Sequence, residues 1–179
     1  MIETSFTPFP ILTTDRLILR QLDVTDVAVV FAHRCNDTVN TYLEDFRHTS
    51  MEQTRAYIER IQSETATGKT IFWAITQKGS NQFIGAISLW NIVKEEDKAE
   101  IGYTLEAAFH GMRYMSEALV TVLDYGFNTM KLKTVDAYTH ELNRASIQLL
   151  LKNNFKQGIP AKPVSKNRIF FSRTNSPFF

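Results

Sequence analysis

Between Ala99 and Thr139 the chain reads strand, helix, strand, and that order limits the available folds more than any other feature. Ala99–Leu105 alternates Ile101, Tyr103 and Leu105 against Glu100, Gly102 and Thr104, the two-residue period of a strand. From Met115 to about Met130, the residues Met115, Ala118, Leu119, Val122 and Gly126 fall on one helical stripe. Thr134–Thr139 then reads as a second strand. Strands joined through a helix pair in parallel, because the crossover returns the chain to the end of the sheet from which it left.

The first half predicts antiparallel pairing. Residues 17–22 (LILRQL) form a first strand, and Asp23 or Thr25 can cap a helix whose face carries Val27, Val30, Phe31 and Arg34, with a polar end. Ser50-Met51-Glu52-Gln53 fits a capping box that opens a second helix through Ile58 and Ile61, with a stop near Gly68. The runs Ile71–Thr76 and Phe83–Ile92 flank Lys78-Gly79-Ser80-Asn81, a hairpin signal. Toward the end, Asn143 caps a helix that buries Ile147, Leu150 and Leu151 and stops at Asn153-Asn154, followed by short strands around Phe155–Ile159 and Arg168–Ser172. The expectation is one mixed α+β domain over residues 1–179, antiparallel in its first half and parallel in its second, without repeats or linkers.

Composition narrows the function classes. Apolar residues make up 44% and charged residues 22%, a globular balance. Twenty Lys and Arg against 19 Asp and Glu leave a net charge of +1, with no basic stripe for nucleic acid. No apolar run is long enough to cross a bilayer, and the first 16 residues lack a signal-peptide profile. The single cysteine, Cys35, suits a reducing compartment, so the expected location is cytoplasmic. Four histidines (His33, His48, His110, His140) show no metal-ligand spacing, and there is no GxSxG elbow, P-loop or GxGxxG.

The chemistry-bearing segment is Glu100–Leu119, EIGYTLEAAFHGMRYMSEAL. It runs from a strand through a short loop into a helix whose first turn is bare. Unpaired N–H groups and the helix dipole make such a turn a cradle for a phosphate.

The segments AEIGYTL, GMRYMSEAL and NRASIQLLLKNNF, in this order and behind the opening LTTDRLILRQL, resemble the GNAT N-acetyltransferase superfamily, and within it the RimJ/RimL-type ribosomal-protein acetyltransferases. The likeness runs from about Leu12 to Ser172. It implies a mostly antiparallel sheet of about seven strands flanked by about four helices, splayed between the fourth and fifth strands, where acetyl-CoA lies and leaves as CoA. The family pattern R/Q-x-x-G-x-G/A, which wraps the diphosphate, becomes His110-Gly111-Met112-Arg113-Tyr114-Met115 here, followed by Ser116. His110 replaces Arg/Gln, Arg113 the central Gly and Met115 the small last residue. An Arg at that Gly either weakens binding or turns outward and offers its guanidinium to a phosphate; the second is expected. The alternative is an Arg lying over the surface.

By the same resemblance, Tyr103, Thr104 and Leu105 pair strand-like with the pantetheine amides, and an N–H near Leu105 meets the oxyanion. Ordinary sheet pairing is the alternative. Glu100 matches a carboxylate that serves as base, its pKa raised by burial; otherwise it is a surface partner of Lys98. Ser146 matches a Ser near the coenzyme sulfur that could protonate the leaving thiolate, against a local capping role. Asn143 matches an Asn that binds the pantetheine arm, a role compatible with its N-cap position.

Trp90, Tyr42 and Phe46 could wall an acceptor pocket, although aromatics of this kind more often sit in a core. Asp37, Glu44 and Asp45 could attract a cationic amine, against a solvated loop. The apolar end Phe178-Phe179 suggests docking across a homodimer, against a frayed terminus. The expected activity is transfer of an acetyl group to a primary amine, first of all a protein N-terminal α-amine, by direct attack and without a metal. Two rivals are a CoA-binding module without turnover and a scaffold that keeps only the fold.

Overall fold

The computed structural model describes residues 2–43, 46–160 and 165–175. Its strands are β1 (Leu12–Thr13), β2 (Leu17–Gln21), β3 (Ile71–Gln77), β4 (Phe83–Val93), β5 (Lys98–Leu105), β6 (Thr134–His140), β7 (Lys156–Gly158) and β8 (Arg168–Thr174). The helices are α1 (Val27–Cys35), α2 (Asp37–Asn40), α3 (Met51–Ala66), α4 (Tyr114–Asp124) and α5 (Arg144–Lys152). All eight strands join one sheet in the order β1-β2-β3-β4-β5-β6-β8-β7. The additions to the expected count are the two-residue β1 and the one-turn α2, both too short to show a period. Parallel pairing is confined to β5–β6; β8 pairs antiparallel with both β6 and β7, so the expectation of a parallel second half holds for one pair.

The two faces of the sheet carry different helices. Ala118, Leu119 and Val122 of α4 and Leu150 of α5 pack with Leu17, Leu19, Trp73, Ile87, Leu89, Ala99 and Ile101. On the opposite face Val27 and Val30 of α1 and Ile58 of α3 pack with Leu22 and Ala74. Trp73 and Ala74 are sequence neighbours in different cores, as the two-residue period of β3 requires.

Helix starts follow the capping chemistry. The Asp23 carboxylate accepts from the Thr25 N–H, and Asp26 accepts from the Asp23 N–H at 2.9 Å, so a 3-10 turn precedes α1. Ser50 accepts from the Gln53 N–H at 3.1 Å, while Gln53 reaches back to the Thr49 N–H at 2.8 Å. Two expectations change. Arg34 is not a solvated polar end of α1 but 8% exposed, with its guanidinium stacked on Phe46 and Tyr57 at 3.8 and 4.3 Å from the ring centroids. α4 does not run regularly to Met130: it widens into a π turn at Tyr125–Thr129, where the Met130 N–H bonds to the Tyr125 carbonyl at 2.9 Å.

The fold opens between β5 and β6. Their ladder runs from Lys98–Thr134 to Ile101–Ala137 and stops. Residues 102–105 stay paired with β4 alone, and residues 138–140 with β8 alone. This is the expected splay between the fourth and fifth predicted strands. Gly85 of β4 lets the end of β5 come close, since a Cβ there would lie 2.3 Å from the Thr104 carbonyl oxygen.

Candidate active site

The segment that follows β5 ends in exposed amides. Gly111 and Arg113 both take left-handed backbone angles, φ 75° and 63°. The motif glycine's conformation is therefore kept by an arginine, at a cost of about 1–2 kcal/mol for a residue with a Cβ. The first amide of α4 to pair is that of Glu117, which donates to the Arg113 carbonyl at 3.1 Å. Among the described residues the N–H groups of Tyr114, Met115 and Ser116 have no partner. Met112 and Arg113 are exposed, whereas the Met115 side chain is buried in the core and anchors the turn. His110 is exposed, and its Nε2–H donates to the Leu105 carbonyl at 3.0 Å, tying the loop to the end of β5.

A brace that the sequence reading missed holds this loop. Arg16, just before β2, donates to the Glu117 carboxylate from Nε at 2.8 Å and Nη2 at 2.7 Å. Its Nη1 donates to the Met112 carbonyl at 3.1 Å, and its guanidinium lies 4.2 Å from the Tyr114 ring centroid. Glu117 also accepts from the Thr14 hydroxyl and the Arg16 N–H. Burial alone would raise the Glu117 carboxyl, but these hydrogen bonds and the guanidinium outweigh it and hold the pKa below the ordinary range. An acidic residue in the first turn of α4, beside its unpaired amides, is thereby neutralised. No local pattern announces a contact spanning about a hundred residues.

The opened edge of β5 carries the remaining expected residues. The Glu106 N–H donates to the Ile84 carbonyl at 2.8 Å, so Glu106 and, by alternation, Thr104 turn their amides to β4. Tyr103 and Leu105 turn theirs to the gap. Thr104 thus differs from its expected neighbours: its hydroxyl meets His33 Nε2 at 2.8 Å on the α1 side of the sheet. His33 is 2% exposed and its Nδ1 lies 2.5 Å from the Glu106 carboxylate. Burial lowers the His33 pKa against the pull of Glu106. A neutral ring satisfies both contacts when Nδ1–H donates to Glu106 and Nε2 accepts from Thr104. The pair fastens α1 to the strand end that holds the Leu105 amide.

On the α5 side the Tyr103 hydroxyl lies 2.8 Å from Ser146 Oγ. Burial pushes the Tyr103 phenol up to about 12, against the Ser146 hydrogen bond, so it stays protonated at neutral pH. Asn143 Oδ1 accepts from the Ser146 N–H at 3.1 Å, which is the cap. The Ser146 hydroxyl is not used in that cap and pairs with Tyr103. Glu100 accepts from Asn91 Nδ2 at 2.6 Å, while Lys98 pairs with Glu96 at 2.9 Å and lies 3.6 Å from Asp136.

Two cavities, of about 520 and about 400 Å3, meet at Leu43, Trp90, Gly102 and Tyr103. The larger follows the gap and is lined by Glu100, Tyr103, Asn143 and Ser146. The smaller lies on the α1 and α3 side, with Phe46, Tyr57, Phe72 and Phe83 in its walls. Trp90 (47% exposed) and Tyr42 (36% exposed) face these cavities and are not core residues. Asp37 is exposed and pairs with Arg47. Glu44, Asp45 and the end Phe178-Phe179 lie outside the described residues.

Residues 16–156 match the acetyltransferase (GNAT) domain family. The uncharacterised N-acetyltransferase YoaA of Bacillus subtilis (strain 168) is 34% identical over 152 residues, 84% of this chain and 86% of its own length. Similar solved folds include RimL, the ribosomal L7/L12 alpha-N-protein acetyltransferase in complex with coenzyme A, with a TM-score of 0.82 at 20% identity over 92% of this chain and 98% of that one. The ribosomal-protein-S5-alanine acetyltransferase of Vibrio fischeri superposes with a TM-score of 0.81 at 16% identity, covering 93% and 97% of the two chains. The chain belongs to the GNAT acetyltransferase family. It is an acetyltransferase of that family, on a fold shared with RimL and RimJ.

Proposed function

We propose that this protein moves the acetyl group of acetyl-CoA directly onto a primary amine. The observation that carries this reading is continuity. Among the described residues the unpaired edge of β5, with the Tyr103 and Leu105 amides, leads into the partnerless first turn of α4. One extended pantetheine arm can pair with the edge while its diphosphate sits on the amides of residues 111–116 and on Arg113. Asn143 keeps its amide nitrogen for the same arm.

Glu100, at the cavity wall, takes the ammonium proton directly or through water. The freed amine attacks the thioester carbonyl, and the Leu105 N–H receives the oxyanion. As the intermediate collapses, Ser146 protonates the leaving thiolate and takes a proton from the Tyr103 phenol, which recovers it through water from the nitrogen that sheds its surplus proton as the amide forms. No covalent enzyme intermediate forms. A protein N-terminal α-amine in the cytoplasm is the first acceptor class, supported by what the two ribosomal-protein acetyltransferases of the same fold are named for. Thiol release across a panel of peptides and small amines tests the proposal, and Glu100→Gln should depress turnover and shift its pH profile. Acetyl-CoA binding without release on any amine would leave a coenzyme-binding module.

A further inference from the structure

We infer that the acceptor carries a carboxylate, held by Arg34 in the aromatic cavity beside the gap. The inference rests on the acetyl-transfer reading above and specifies its second substrate. Arg34 is 8% exposed and lines the smaller cavity. Its guanidinium lies over the Phe46 and Tyr57 rings and interacts with the Tyr57 side chain, a neutral partner, while its Nε is buried without a hydrogen-bond partner. Among the described residues no carboxylate pairs with it. The other charged groups of the cavity wall are already answered: Arg60 pairs with Glu64 at 2.7 Å, and the His33 ring is held between Glu106 and Thr104.

A buried cation without a counter-charge is costly, and stacked rings offset only part of that cost. The missing partner is an anion that enters with the ligand. A planar guanidinium between two rings presents its edge, the geometry that a carboxylate meets with two hydrogen bonds. The cavity opens onto Trp90, Gly102 and Tyr103, which also line the gap where the amine must arrive. An acceptor with an amine at one end and a carboxylate at the other spans the two. Its source is either a small amino-carboxylate or a peptide N-terminus followed by an acidic side chain.

The test compares acceptors matched in every respect but charge: ω-amino carboxylates of increasing chain length against their carboxamides, and short peptides with Asp against Asn at the second position. Thiol release should be at least about tenfold faster in kcat/KM for the charged member of at least one pair, the fold-change equivalent to about 1.4 kcal/mol. Arg34→Met should bring that ratio to about one, and Arg34→Lys should keep part of it. The series that shows the preference identifies the source. Equal rates for acid and amide in the wild type, or a preference that survives Arg34→Met, overturns the inference. If no amine releases thiol, the acetyl-transfer reading fails instead. Arg34 is then judged by calorimetry of the same pairs on the CoA-loaded protein: heat with the acids that is lost in Arg34→Met supports the site, and no heat with any of them removes it.

Discussion

Arg16→Met separates the electrostatics of the loop before α4, the proposed diphosphate site, from its mechanics. The substitution keeps an unbranched apolar stem and removes two bonds to Glu117, one to the Met112 carbonyl and the stacking on Tyr114. The Thr14 hydroxyl and the Arg16 N–H still hold the carboxylate in place, now without a neutralising charge. A phosphate on the amides of Tyr114–Ser116 would lie about 8 Å from that carboxylate, one turn along the helix. At an effective dielectric constant of about 40, each like-charge pair costs roughly 1 kcal/mol at that distance. A diphosphate should therefore lose about 1–2 kcal/mol, raising the Kd for CoA roughly 5- to 30-fold. Titration calorimetry with CoA reads this directly, and added salt should shrink the loss because Arg16 is half exposed. Adding Glu117→Gln to Arg16→Met should restore most of the affinity. A double variant that binds as poorly as Arg16→Met, or a single variant that binds like the wild type, would refute the repulsion argument.

Three other perturbations probe separate parts of the site. Arg113→Gly relieves a left-handed backbone at the expense of glycine's unfolded-state entropy, for a net gain of about 0.5 kcal/mol in stability. It should also weaken CoA roughly fivefold or more if the guanidinium grips phosphate; unchanged affinity would leave Arg113 a surface residue. Ser146→Ala spares the cap, because Asn143 bonds the Ser146 amide, yet it should lower kcat at least about tenfold with little change in CoA affinity. A fully active variant would remove Ser146 from the mechanism. Burial pushes the His48 imidazole down from 6.5 to about 4 and also lowers His33. Between these values the unfolded chain binds the proton and the folded one does not, so stability falls as pH drops from about 6.5 toward about 4 and is unaffected by these rings above that window. His48→Gln should flatten the decline in melting temperature across this range; the same slope in both proteins would contradict the assignment.

What the sequence showed and what it hid divide along contact distance. The alternation of Ile101, Tyr103 and Leu105 and the Met115–Val122 stripe are local periods, and they survive as β5 and α4. The Asn143 and Ser50 caps were legible for the same reason, although Gln53 returns its bond to the Thr49 N–H and not to that of Ser50 as a capping box would. Arg16 reading Glu117 and His33 reading Glu106 join segments far apart in the chain, so no window contains them, and Arg34 reaches Phe46 and Tyr57 across a loop that breaks the helical period. Arg34 was the most misleading: a charged residue at the end of an amphipathic helix normally faces water, and only rings supplied from elsewhere bury it. Trp90 and Tyr42 show the reverse, aromatic side chains left open at the mouth of a cavity. The π turn at Tyr125–Thr129 carries the same buried stripe as a regular helix and so gave no sign of itself.

A crystal structure with acetyl-CoA bound tests the central assignment most directly. The account predicts diphosphate oxygens within hydrogen-bond distance of the Tyr114, Met115 and Ser116 amides, and the thioester carbonyl facing the Leu105 N–H in the gap beyond Ile101 and Ala137. Coenzyme seated elsewhere, with that first helical turn unoccupied, would contradict it.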